Sequence, residues 1–201
     1  MLHNTTKKGR ALLDRALYLP REWANDDERR EGAGVPEEIA FATKVVLARQ
    51  MIDRAVAAGV PAKWVTADAV YGSDDHFRTT AEGHGLGYVV GVRSDFAVWA
   101  GLRQVRVGTL LAGIPAEAWH RLSCGEGAKG PRVYDWALVR LNSPEPEEYV
   151  RWVMMRRSVA DPREVAHFAC GGPLCLRRPT RHDAPRVGPR RAGEVGHRGS
   201  L

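Results

Sequence analysis

Trp64-Val65-Thr66-Ala67-Asp68-Ala69-Val70-Tyr71-Gly72 is the stretch on which the reading of the fold turns. Trp64, Val65 and Thr66 favour extended backbone. Gly59 and Pro61 break the chain just before them and Gly72-Ser73 just after. The stretch therefore reads as a short buried strand that ends on the carboxylate of Asp68. A helical pattern leads in from Glu37 to Ala58, and a second leads out from Ser73 to Glu82. The apolar run from Leu86 to Val92 then reads as a strand buried on both faces. Helix, strand, helix, strand is the rhythm of a parallel α/β sheet. In such sheets chemistry collects at the carboxyl ends of strands, where Asp68 stands. An aspartate after a strand also serves as a turn residue or helix cap, so both readings stand at this point.

Upstream, Arg10 to Leu19 is apolar apart from Asp14 and Arg15 and is stopped by Pro20, which fits a strand; a short helix is the alternative. Arg21 to Glu31 is highly charged, with Asn25 or Asp26 able to cap a helical turn, and Gly32 to Pro36 is a loop. The long helix then starts at or near Pro36, with Glu37 and Glu38 in its first turn and Ile39, Val45 or Val46, Ile52 and Val56 at helical spacing; Thr43-Lys44 is a point where it could divide. Ser73 is expected to cap the following helix and Phe77 to pack inward. After Arg93 the texture becomes β-rich. Arg132 to Leu141 and Tyr149 to Arg156 read as strands paired across Pro144-Glu145-Pro146, and Asp161-Pro162 reads as the opening of a helix. Trp64, Trp136 and Trp152 are expected in the core.

Composition sets outer bounds. The 201 residues, 44% of them hydrophobic, suffice for one sizeable core. No apolar run is long enough to span a bilayer, and Met1 to Lys8 has no apolar segment after its charges. The three cysteines, Cys124, Cys170 and Cys175, have no metal-ligand spacing and fit a reducing compartment, so a cytoplasmic protein without a membrane partner is expected. The net charge of +6 is uneven: from Arg177 onward seven arginines face only Asp183 and Glu194. The segment 171–201 has no aromatic and no periodic apolar run, and reads as a disordered Arg/Pro/Gly-rich basic tail.

Several stretches together resemble a known family. They are Leu13 to Pro20 with Trp23, Ala33-Gly34-Val35-Pro36 with Phe41 to Lys44, and Trp64 to Gly72 with Tyr88-Val89-Val90. Gly125 to Trp136 and Trp152 to Ser158 extend the series. The run resembles the IS701-type transposases of bacterial insertion sequences, within the IS4-like DDE group. The resemblance implies an α/β fold with a partial ribonuclease-H-like core over 9–93, then a β-rich insertion and following helix over 94–170. It implies two divalent ions, Mg²⁺ or Mn²⁺, held by carboxylates in the order Asp, Asp, Glu, and in-line attack on a phosphodiester of transposon-end DNA. Hard ions suit carboxylate and phosphate oxygens, and two of them clamp the attacking and leaving oxygens.

On that resemblance Asp68 is the second catalytic and metal-binding aspartate, and Arg10 to Leu19 is the third strand of the core. The first aspartate has no counterpart, because the chain reads as starting in the turn before that strand. Leu174-Cys175-Leu176-Arg177-Arg178-Pro179 stands where a Trp-bearing helix with the catalytic glutamate belongs. A reading-frame shift near Gly172 or Pro173 accounts for this. The expectation is a transposase fragment, inactive alone and with an unpaired strand edge open to self-association. The alternatives are completion by a neighbouring reading frame, or a non-catalytic DNA-binding or regulatory fragment in which Lys44, Lys129 and Arg132 contact phosphates.

Overall fold

A computed structural model describes residues 1–6, 8–128, 130–141 and 149–173. Strands β1 (Leu2–Thr6) and β2 (Gly9–Asp14) form an antiparallel hairpin. The sequence reading had no strand at β1 and ran the second strand on to Leu19. It stops at Asp14 because that carboxylate accepts the next amide, Arg15 N–H, at 2.7 Å and pairs with Arg54 Nη2 at 2.8 Å. The hairpin is a separate two-stranded sheet rather than part of the main one.

Two short helices follow, α1 (Arg21–Ala24) and α2 (Asp27–Gly32), the latter capped by Asp26. The long helix α3 (Lys44–Ala57) starts later than the expected Glu37. Arg30 explains the delay. Its guanidinium donates to the carbonyls of Pro36, Glu37 and Ile39, the last at 2.9 Å, and so fixes that segment in a non-helical path. Thr43, at the division noted in the sequence, is the N-cap and accepts from Val46 N–H.

Strand β3 (Trp64–Ala67) forms where expected, but as the last strand of its sheet it is alternately exposed and half-buried rather than buried; the single turn α4 (Ala69–Gly72) and α5 (Asp75–Gly83) follow. The cap of α5 is Asp74, which accepts from Phe77 N–H, and not Ser73, which closes the C-terminal end of α4. Phe77 is buried against the sheet, as expected. β4 (Gly87–Val92) runs parallel to β3. Next come the hairpin β5 (Ala97–Ala100) and β6 (Arg103–Arg106), then the turn α6 (Val107–Leu110). After two single 3-10 turns, Leu111–Gly113 and Ala116–Ala118, come β7 (His120–Gly127), β8 (Gly130–Arg140), β9 (Tyr149–Ser158) and β10 (Val165–Pro173). β8 and β9 pair as expected.

The six-stranded sheet has the order β3-β4-β10-β9-β8-β7, and only the β3–β4 pair is parallel. Where the sequence suggested a helix after Asp161, the chain makes β10. Asp161 closes a tight loop instead: its amide donates to Ser158 Oγ, and its carboxylate accepts from Arg163 N–H. β10 is extended and pairs with β9 along its whole length and with β4 from His167 to Gly171.

Gly171 and Gly172, assigned to the tail from sequence, are the end of this strand. They are glycines because aromatic rings lie on them. A Cβ at 171 would meet the Tyr88 and Tyr149 rings, and one at 172 the Trp64 ring. Trp64 correspondingly lies over the sheet near its edge, 45% exposed, rather than in the core. Pro173 ends the strand, and residues 174–201 of the tail lie outside the described residues, as do Lys129 and Pro144-Glu145-Pro146.

Candidate functional site

Asp68 follows the last residue of β3, at the carboxyl end of one of the two parallel strands. Its backbone is extended, and Oδ1 accepts from Val70 N–H at 2.9 Å. The side chain therefore caps α4, while the residue itself stays exposed. The two sequence readings, cap and chemistry at a strand tip, are compatible: one oxygen holds the turn, and the residue remains exposed.

The turn that carries Asp68 is pressed onto β4 through two glycines. A Cβ on Gly72 would collide with the Gly91 carbonyl oxygen and come within 2.9 Å of Val90 Cβ. A Cβ on Gly91 would stand 3.1 Å from Ala69 N and 3.3 Å from the Asp68 carbonyl carbon. From the other side, Arg78 donates to the Gly72 carbonyl and pairs with Asp75, with its guanidinium over the Phe96 ring at 4.8 Å. Tyr71 points back to Phe77, with ring centroids 5.6 Å apart. The aspartate thus rides on a turn clamped by backbone packing, one arginine and an aromatic pair. Such clamping holds a side chain in a fixed direction.

Sequence reading missed Gly91 and Arg78. For Arg78 a signal existed, the Asp75/Arg78 spacing on one helix face. For Gly91 there was none, because its partner Ala69 is remote in sequence.

Of the proposed DNA contacts, Arg132 stands well away from Asp68 across the sheet. Lys44 opens α3, exposed, with its ammonium 5.1 Å from the Tyr18 ring centre. Arg132 is on β8 and leans on Gly127, with Nη2 3.5 Å from the Cys124 carbonyl. Three strands separate β8 from β3, which at strand spacing is about 19 Å. Lys129 lies outside the described residues.

No group of three His, Cys, Asp or Glu side chains is placed to hold a metal ion among the described residues. A hard divalent ion takes six or more oxygen donors and a two-ion site several carboxylates. These residues alone do not fit such a site. Asp68 can supply one donor to a set completed from elsewhere.

Residues 1–109 match the family model for the DDE superfamily endonuclease. The chain belongs to the DDE superfamily of endonucleases. The matched segment contains β3, α4 and Asp68, and more than half of the chain. Endonucleases of this superfamily cut DNA, typically with divalent metal ions. No curated protein matches this DDE endonuclease chain. The mixed α/β architecture with its six-stranded sheet is consistent with a DDE nuclease fold. Among the described residues, no helix is long and apolar enough to cross a membrane.

Proposed function

We propose that this DDE endonuclease is part of an IS701-type, IS4-like transposase acting on the DNA ends of an insertion sequence. Residues 9–93 then hold a partial ribonuclease-H-like core, with a β-rich insertion after it. Asp68 is the carboxylate that this segment contributes to a divalent-metal site.

The observation that carries the reading is the placement of Asp68 at the carboxyl end of a parallel strand, inside the family-matched segment, on a turn fixed by Gly72 and Gly91. A carboxylate at a strand tip over an open, exposed edge can meet both a metal ion and a phosphodiester. On this reading the chain by itself does not cleave DNA; the support is that no three His, Cys, Asp or Glu side chains are grouped to hold a metal ion among the described residues. Its role is to be one part of a composite site, with the other ligands supplied by a second polypeptide such as the product of an adjoining reading frame.

The test is a nicking and strand-transfer assay on supercoiled and transposon-end DNA with Mg²⁺ or Mn²⁺. The chain alone is expected to show no cleavage. Cleavage is expected when the downstream product is added, and it is lost again with Asp68→Asn. Asp68-dependent cleavage by the chain alone would overturn the composite site. Restored cleavage that ignores Asp68→Asn would overturn its role.

A further inference from the structure

The core lies on one face of the main sheet. Ile52 of α3 and Phe77 and Ala81 of α5 share a cluster with Val90, Val139, Val153, Met155 and Ala169 of the strands. Residues alternate between faces along a strand, so the sequence neighbours of these strand residues stand on the opposite side. On β8 that side holds Arg132, Tyr134, Trp136, Leu138 and Arg140. The register carries it across the sheet: Trp136 pairs with Arg156 of β9, and Arg156 with Ala166 of β10, two residues before Phe168. The side chains agree. The Arg156 guanidinium lies over the Tyr134 ring at 4.5 Å and over the Phe168 ring at 5.9 Å. The Trp136 ring centre stands 6.4 Å from that of Tyr134 and 6.3 Å from that of Phe168. Three half-buried rings and one arginine thus form a continuous strip across β8, β9 and β10, on the side away from α3 and α5.

The strip is cationic. Among the described residues Arg156 has no ion-pair partner, whereas Arg121 and Arg157, on the other face, both pair with Asp135. Glu164 is the carboxylate that comes near, bordering a hollow of about 320 Å³ together with Tyr134 and Arg156. Arg132 and Arg140 stand on the same side of β8, one at either end of the Tyr134–Trp136 pair. The strip also has a direction. Phe168 is paired with Gly91 of β4, and Gly91 is the residue on which the Asp68 turn rests.

We propose that this strip binds single-stranded DNA, with unpaired bases stacked on its rings and a phosphate on Arg156, and that it leads the strand toward Asp68. Interleaved rings and cations suit a single strand, whose base faces are open to stacking, where a duplex keeps them stacked inside. The choice of DNA, and of Asp68 as the destination, rests on the nuclease reading. Binding itself needs neither metal nor cleavage, so the strip and the composite site fail separately.

The probe is a fluorescein-labelled oligothymidine of about 15 nucleotides, within the site sizes usual for single-strand binders. The full chain is titrated against it by anisotropy at several salt concentrations, beside the same strand paired with oligoadenine. Saturable binding is expected, about tenfold or more tighter for the single strand than for the duplex. Tyr134→Leu/Phe168→Leu keeps apolar bulk but removes two stacking faces, and should weaken single-strand binding by about tenfold or more. Arg156→Gln should reduce the slope of log affinity against log salt by about 0.7, the share of one phosphate on a single strand. It leaves every ring in place and decides alone should the leucine pair not fold, which circular dichroism reads. The seven arginines from Arg177 onward are unchanged in each variant, so attraction through them does not mimic these effects. Absence of binding overturns the proposal, as does equal affinity for the duplex. Single-strand binding that folded variants leave unchanged overturns it too.

Discussion

Gly72 and Gly91 are packed closely: a Cβ on Gly72 would run into the Gly91 carbonyl oxygen, and a Cβ on Gly91 would press on the backbone of Asp68 and Ala69. That contact sets the height of the Asp68 turn above β4. Gly72→Ala is therefore expected to destabilise the fold by about 3 kcal/mol, at the upper end of overpacking costs, because the atom in the way is backbone and cannot rotate aside. Urea unfolding measures it. Gly91→Ala, which meets Ala69 N at 3.1 Å, is expected to cost less and to move Asp68 more than it unfolds the chain.

Asp68 has two separable roles, and substitutions divide them. Asn caps a helix about as well as Asp, so Asp68→Asn should leave stability within a few tenths of a kcal/mol. Asp68→Ala, which leaves Val70 N–H without its side-chain acceptor, should cost about 1 kcal/mol. Any metal-dependent function of the composite site should be lost in both. Thermal melts and the complemented cleavage assay, run on the same two variants, tell cap from ligand.

Glu82 on α5 ties the helix layer to the sheet. Both its oxygens accept from Arg151 of β9, at 3.1 and 2.7 Å, and Oε1 also accepts from the Tyr88 hydroxyl at 3.2 Å. The pair is mostly enclosed, with side-chain exposures of 23% for Arg151 and 18% for Glu82. Glu82→Ala is expected to cost about 2 kcal/mol, between surface and fully buried pairs. A double-mutant cycle with Arg151→Ala should show a coupling energy of about 1 kcal/mol or more.

Burial lowers the pKa of His167 on β10, and its Nε2 is enclosed without a hydrogen-bond partner among the described residues. The unfolded chain then binds this proton more readily than the folded one. Its contribution to stability is fully present above the unfolded pKa of about 6.5 and is lost as pH falls through the lower folded value. Urea midpoints should be level near neutrality and decline as pH is lowered below about 6.5, and His167→Leu should flatten that limb. A second decline is expected in the carboxylate range. There Asp14, held down chiefly by its hydrogen bond from Arg54, and Asp135, held down chiefly by that from Arg121, take up protons.

What could be read from the sequence was local. β3, β4 and the β8–β9 hairpin follow from alternating or continuous apolar runs with breakers at their ends. The late start of α3 was hidden because Arg30 reaches across from another helix to the carbonyls of 36, 37 and 39. β10 was hidden because Gly171-Gly172 suits a strand only where rings from β3, β4 and β9 fill the missing volume. For the site, the sequence pointed to Asp68 and to a turn at Gly72, but the clamp by Gly91 and Arg78 exists only once β4 and α5 are docked.

The position of β10 between β4 and β9 has a consequence for biosynthesis. A ribosome that has delivered residues 1–109, the span of the family match, has made β4 but not the strand that covers its second edge. Tyr88 and Val90, enclosed in the finished molecule, then wait through the emergence of β7, β8 and β9 before the last strand slides in beside them. The nascent nuclease is thus held open through much of its translation. A polypeptide ending at residue 109 would carry that unfinished edge for good, and insolubility should follow.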